Sequence, residues 1–212
     1  MAMGFGNKGA NDTSTERYKR NWYTGFESVK AAINVFNGDA NELKSVVDEF
    51  GVKPVSFYFH IFGDEKEDIE DLQRKMDFLA KLDVKRISLQ ANYIEGRKPT
   101  EEELVKVLKT IEKIGVITKD YGVVPCIHPH HNTMVMHEDE IDFIMKNTDP
   151  EYIAFGPDTA HLAVGLCDPV KVMEKYAERI KFLHLKDYYF GEYVGSEGIG
   201  YENVNVYQNF RE

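Results

Sequence analysis

Three short clusters carry most of the chemistry this 212-residue sequence offers. The first is CIHPHHNT at 126–133, where His128, His130 and His131 follow the Val-rich run GVV at 122–124. In an extended chain alternate side chains share a face, which puts His128 and His130 together and Pro129 opposite. His131 has no such argument and is expected to be exposed or behind the site. The second cluster is FGPDTAHL at 155–162. Its Asp158 and His161 pair a carboxylate with an imidazole, a donor set suited to a borderline divalent ion such as Mn²⁺, Co²⁺ or Zn²⁺. The plainer alternative is that Asp158 caps a turn and His161 bonds a backbone carbonyl. The third is KFLHLKD at 181–187, in which a strand would set His184 and Lys186 on the side of Phe182, away from Leu183 and Leu185. Here the alternative is a core histidine with a satisfied ring.

Two textures alternate along the chain and must position these groups. Apolar, β-branched or aromatic runs read as strands at 29–36, 53–59, 86–91, 123–127, 152–156 and 181–185, with a short MGFG at 3–6 as a further candidate. Charged segments with helical spacing lie between them. In 65–82 the residues Ile69, Leu72, Met76 and Leu79 form one apolar stripe. The segment 100–119 opens with Thr100 and carries Glu103 three positions on, the signature of a capping box. Shorter helices are predicted at 40–50, 138–146 and 169–178, the last with Asp168 as cap and Pro169 at its first position.

Strand–helix alternation of this kind predicts a parallel sheet covered by helices. An open nucleotide-binding sheet would want a glycine-rich turn leading into a helix, and GFGNKG at 4–9 is only a loose relative of that pattern. Spacing favours a (β/α)₈ barrel, whose units run to roughly 30 residues each. Lys30, His60, Gln90, His128, Asp158 and His184 recur at steps of 30, 30, 38, 30 and 26. Catalytic groups of such a barrel converge from several strand ends on one mouth. The aromatics Phe57, Phe59 and Tyr93 lie near those ends and are expected mainly in the core.

Composition narrows the partners. With 26 basic against 36 acidic residues and a net charge of −10, no dense basic block is available to track phosphates, so nucleic-acid binding is disfavoured. No apolar run is long enough to span a bilayer, and none is expected at a membrane. The N-terminal twenty residues lack the apolar core of a secretory signal, which predicts a cytoplasmic protein. Cys126 and Cys167 form no CxxC and read as core thiols. No Pro/Gly/Ser-rich linker divides the chain, so residues 1–212 are expected to form a single domain.

The order HPHHNT, PDTAHL, a DP-initiated helix, YAERI and HLKD resembles the sugar isomerase/epimerase superfamily built on the xylose-isomerase-type TIM barrel. It looks nearest to the inosose-dehydratase-like branch, strongly over 122–187 and more weakly over 25–121. The resemblance implies a metal-dependent isomerase, epimerase or dehydratase acting on a sugar, sugar phosphate or cyclitol ketone. The cofactor implied is a divalent metal, Mn, Co, Zn or Mg, with His128, Asp158 and His184 as its ligands. His130, His161 and Lys186 would transfer protons or bond substrate oxygens. Lys30, His60 and Gln90 would add substrate contacts, Lys30 standing where many relatives carry Glu. The family pattern continues past NFRE at 209–212 into a unit that supplies a further Glu, so the barrel is expected to be incomplete at its C-terminal end. The exposed edges of such a barrel invite a partner, and a homo-oligomer is one expectation. Because one barrel hosts many chemistries, two rivals stand: an AP-endonuclease-like metal-dependent DNA phosphodiesterase, and a sugar-binding remnant without turnover.

Overall fold

The computed structural model describes residues 24–94 and 96–188. Five strands, β1 (Gly25–Val29), β2 (Lys53–His60), β3 (Arg86–Gln90), β4 (Val124–Ile127) and β5 (Ala154–Phe155), lie side by side in chain order. Every neighbouring pair is parallel. The connections carry α1 (Ala31–Val35), α2 (Ala40–Phe50), α3 (Glu65–Lys81), α4 (Glu101–Asp120) and α5 (Glu138–Asn147). Beyond β5 come α6 (Thr159–Val164), α7 (Pro169–Lys175) and a 3₁₀ turn at Ala177–Arg179.

Alternation along β2 shows how the sheet sorts its residues. Phe57 and Phe59 face the helices and are buried, whereas Tyr58 and His60 face the other way and line a cleft. Leu72, Met76 and Leu79 of α3 are buried in the same core, as their spacing predicts. Full burial of such a side chain contributes roughly 1.5–3 kcal/mol. Val107, Ile111 and Ile114 of α4 do likewise. Caps act where the sequence places them: Thr100 and Glu103 close a reciprocal capping box on α4, and Asp168 accepts from Val170 and Lys171 at the start of α7.

The sheet curls. After β5, residues 180–186 run beside it through isolated parallel bridges, Phe155 with Ile180 and Asp158 with His184. In a flat sheet this sixth run would lie about 24 Å from β1, at ~4.8 Å per neighbour. Instead the Nε2 of His184 is 2.6 Å from a carboxylate oxygen of Glu27 on β1. The inner face is therefore concave, and the strand ends open into its mouth.

Three strand expectations need correction. The run 29–36 is not a strand: β1 ends at Val29 and α1 follows, with Ala32, Ile33 and Phe36 buried at helical spacing. A short apolar run does not distinguish the two by itself. The ladder at 152–156 shrinks to Ala154–Phe155, and 181–185 makes single bridges only. The MGFG and GFGNKG segments, NFRE and residues 189–208 lie outside the described residues. No described helix is long and apolar enough to cross a membrane.

Candidate metal centre and cleft

The strand registers bring the spaced polar residues together. His60 pairs with Gln90 across β2 and β3, and Leu89 pairs with Ile127, so Gln90 and His128 each come next along adjoining strands. Gly156 follows β5 at the same level, its amide bonded to the Ile127 carbonyl. This lateral alignment is what the step of about 30 residues encodes.

His128 is fully buried, and its Nδ1 is 3.0 Å from the Gly156 carbonyl. A carbonyl accepts only, so Nδ1 carries the proton and Nε2 keeps a lone pair for a ligand. Gly156 suits this contact because a Cβ there would meet the Cβ of Cys126 at 2.9 Å.

Asp158 splits its two oxygens. Oδ1 accepts from the amides of Ala160 and His161 at 3.0 and 3.1 Å and caps α6. Oδ2 points to the site, 3.4 Å from Nδ1 of His184. Lys186 Nζ approaches the same oxygen to 2.6 Å, an ion pair without hydrogen-bond geometry, so Oδ2 and His184 Nδ1 are both buried with no hydrogen-bond partner. Cap and site group are thus one residue, and the two readings of Asp158 both hold. Thr159 fixes Lys186 by bonding its backbone amide and carbonyl through Oγ1.

His184 is held from behind by Glu27, whose other oxygen accepts from Ser88 Oγ at 2.6 Å. With Nε2–H donated to this carboxylate, Nδ1 is the nitrogen left facing Asp158. One ligand atom each from His128, Asp158 and His184 lies within 4.8 Å of the others, and a second such group joins His128, His130 and His161.

The charge states follow from burial and neighbours. Burial works against the charged form of His184, but Asp158 and Glu27 outweigh it and raise its pKa. Burial would raise the Asp158 carboxyl, yet His184, His161 and Lys186 hold it far below the usual carboxylate range. Burial depresses His130 to about 3, aided by His131, and His161 to about 2, aided by His130. It also lowers His128 and, with help from Lys30, His60. Those imidazoles are neutral at physiological pH. Both thiols are buried and pushed up to about 12, which suits core cysteines rather than ligands.

A cleft of about 370 Å³ opens beside these groups, and His60, Gln90, His128, His130, His184 and Lys186 all line it. His161 lies behind, its ring centre 3.8 Å from that of His130 and tilted against it. His131 lies closer than its sequence position suggests: its Nδ1 is 3.2 Å from Nδ1 of His161. Lys30 is not among the lining residues; it pairs with Asp71 at 3.1 Å and covers the Phe62 ring. Tyr93 lines the cleft, while Phe57 and Phe59 belong to the core. Sequence reading missed Glu27 and Tyr58. A carboxylate inside the apolar run GFESV is the signal that marks Glu27.

The sequence profile of the xylose isomerase-like TIM barrel family matches residues 23–205. The inosose dehydratase of Clostridium tetani is 31% identical over 194 residues, 84% of this chain and 65% of that protein. The chain thus spans less than two thirds of that relative's length. A sugar phosphate isomerase/epimerase from Parabacteroides distasonis superposes with a TM-score of 0.69 at 22% identity, over 84% of this chain and 70% of the other. The IOLI protein, solved with a bound zinc atom, gives 0.70 at 17% identity, over 84% and 68%.

Proposed function

We propose, for a chain that belongs to the xylose isomerase-like TIM barrel family, a metal-dependent reaction on a polyol ketone, with dehydration of an inosose as the leading case. The observation that carries this reading is the paired vacancy in hydrogen bonding at Asp158 Oδ2 and His184 Nδ1. Two buried acceptors face each other at 3.4 Å, and with the Lys186 ammonium beside only one of them a shared cation or proton would satisfy both. His128 Nε2 completes a donor set of two imidazoles and one carboxylate, which suits Zn²⁺, Co²⁺ or Mn²⁺ better than the all-oxygen preference of Mg²⁺. The zinc named in the IOLI structure agrees with that chemistry.

When bound, a divalent ion polarises a carbonyl and makes the neighbouring C–H more acidic. The chain's own groups supply the rest. His130 and His161 are neutral, so the His130 ring at the cleft can bond a substrate oxygen or pass a proton on, backed by His161, although burial makes both weak bases. The Lys186 ammonium, tethered through Thr159, can donate to a departing or newly formed oxygen at the same mouth. Loss of hydroxide beside the abstracted proton gives dehydration; return of the proton to another carbon gives isomerisation or epimerisation. His60 and Gln90 contribute polar wall. The side of the wall formed by His60, Gln90, His128 and His130 is neutral and suits the hydroxyls of an uncharged polyol.

The test is elemental analysis of purified protein, joined to an inosose dehydration assay. We expect close to one divalent ion per chain, and Asp158→Ala or His184→Ala to lose it together with activity. Variants that keep full metal content would sink the reading.

A further inference from the structure

The inner face of the sheet holds a further unsatisfied group, beside the trio proposed to bind the ion. Gln90 is fully buried at the end of β3, and its Nε2 has no hydrogen-bond partner. Native proteins seldom leave a buried amide nitrogen unpaired without a functional reason. The registers explain its orientation. Tyr58 pairs with Ser88 and His60 with Gln90, so Tyr58 and Gln90 share one face, a step apart on adjacent strands. The Tyr58 hydroxyl donates to Oε1 of Gln90. That bond engages the acceptor end of the amide, and the N–H groups at the other end are the ones without a partner. Tyr58 is itself held edge-on against the ring of His128 and at a tilt against that of His60. Both Tyr58 and Gln90 line the cleft.

We propose that Gln90, oriented by Tyr58, presents a donor subsite that binds an acceptor oxygen, a hydroxyl or ketone oxygen, of the molecule in the cleft. Gln90 makes the contact and Tyr58 is a positioning residue that fixes which end of the amide faces the ligand. The inference rests on the functional reading above in taking a polyol ketone as the occupant, and adds how one of its oxygens is recognised. A site built to donate discriminates against an analogue that lacks the matching oxygen, because its own buried N–H is then left unpaired.

Calorimetric titration of the metal-loaded full chain tests this, with inosose and a set of single-deoxy analogues as probes. Gln90→Leu should weaken inosose binding roughly tenfold, the scale of one lost hydrogen bond. One deoxy analogue should bind wild type about as weakly and be indifferent to Gln90→Leu. Tyr58→Phe removes a single oxygen and keeps the packing, so it remains informative if Gln90→Leu folds poorly. It should weaken inosose binding by roughly threefold and add nothing in the double variant, as expected for residues acting through one contact. Inosose binding that neither substitution changes, or effects that simply add, overturns the inference alone. Absence of inosose binding by the wild-type protein overturns the functional reading and this inference with it.

Discussion

At the scale of single residues, the site depends on which nitrogen of each histidine is free. His128 is set by the Gly156 carbonyl and His184 by Glu27, and in both cases the partner is an oxygen that can only accept. The neutral state of the other rings has a cost that pH can expose. Above about pH 6.5 both folded and unfolded chains hold His130 and His161 uncharged. Between 6.5 and about 3 the unfolded chain takes up protons that the folded His130 ring refuses, so stability falls as pH falls through that window. His161 acts in the same direction down to about 2, as does His128. His184 opposes them: its raised pKa stabilises the fold below 6.5, and that contribution fades as pH rises through its folded value. The lowered imidazoles, His60 and His131 among them, outnumber the one raised and predict a lower urea midpoint for metal-free protein at pH 5 than at pH 7.5. His130→Gln should flatten the difference, and a profile steeper than wild type would contradict this account. The residues gathered at the cleft, His60, Gln90, His128 and His184, were legible in sequence because polar groups at strand ends keep the period of a βα unit, while Lys30 keeps that period and stands outside the lining. Glu27 was not, because nothing local distinguishes it from a strand residue facing outward.

At the scale of elements, helices were easier to read than short strands. The boundaries of α3 and α4 follow from an apolar stripe and from caps that satisfy the first amides, both written within a few residues. β1 and α1 show the converse. Residues 29–36 are rich in apolar and β-branched types, and only the burial of Ala32, Ile33 and Phe36 on one side identifies a helix. The segment at 181–185 reads as a strand by composition, yet bridges β5 at isolated points, and Leu183 and Leu185 remain exposed. Cap chemistry gives a direct test. Thr100→Ala removes a side-chain acceptor from the Glu103 amide and should cost about 1 kcal/mol. Urea denaturation should show that loss with metal affinity unchanged, since α4 lies on the outer side of the sheet. A loss of metal at neutral pH would mean that the helix end and the site are coupled.

At the scale of the whole molecule, curvature is the property that turns a row of strand ends into a site. The chain contributes β1 and the run beyond β5 from opposite ends of the described region, and the ring of His184 reaches Glu27 across the concave face. Spacing in sequence announces a barrel-like order of strands but says nothing about how far the sheet closes, which is why the Glu27 contact could be found only in three dimensions. Glu27→Gln keeps shape and size while weakening the acceptor behind His184. We expect metal affinity to fall 10–100-fold, the usual effect of removing such a supporting partner, with the ion still binding at high concentration. Competition titration against a chelator would measure it, and wild-type affinity in the variant would show that His184 is oriented by packing alone.

The reach from Glu27 to His184 spans 157 positions in the chain. Loop closure over such a distance comes late in folding, after local helices and neighbouring strands have formed. During synthesis, the Glu27 carboxylate on β1 can take its bond from Ser88 but must wait for its histidine until the segment carrying His184 has left the ribosome. If the three-residue centre holds an ion as proposed, its capture would be a clock for completion: a chain arrested before residue 184 can hold most of its helices and still lack one of the three groups.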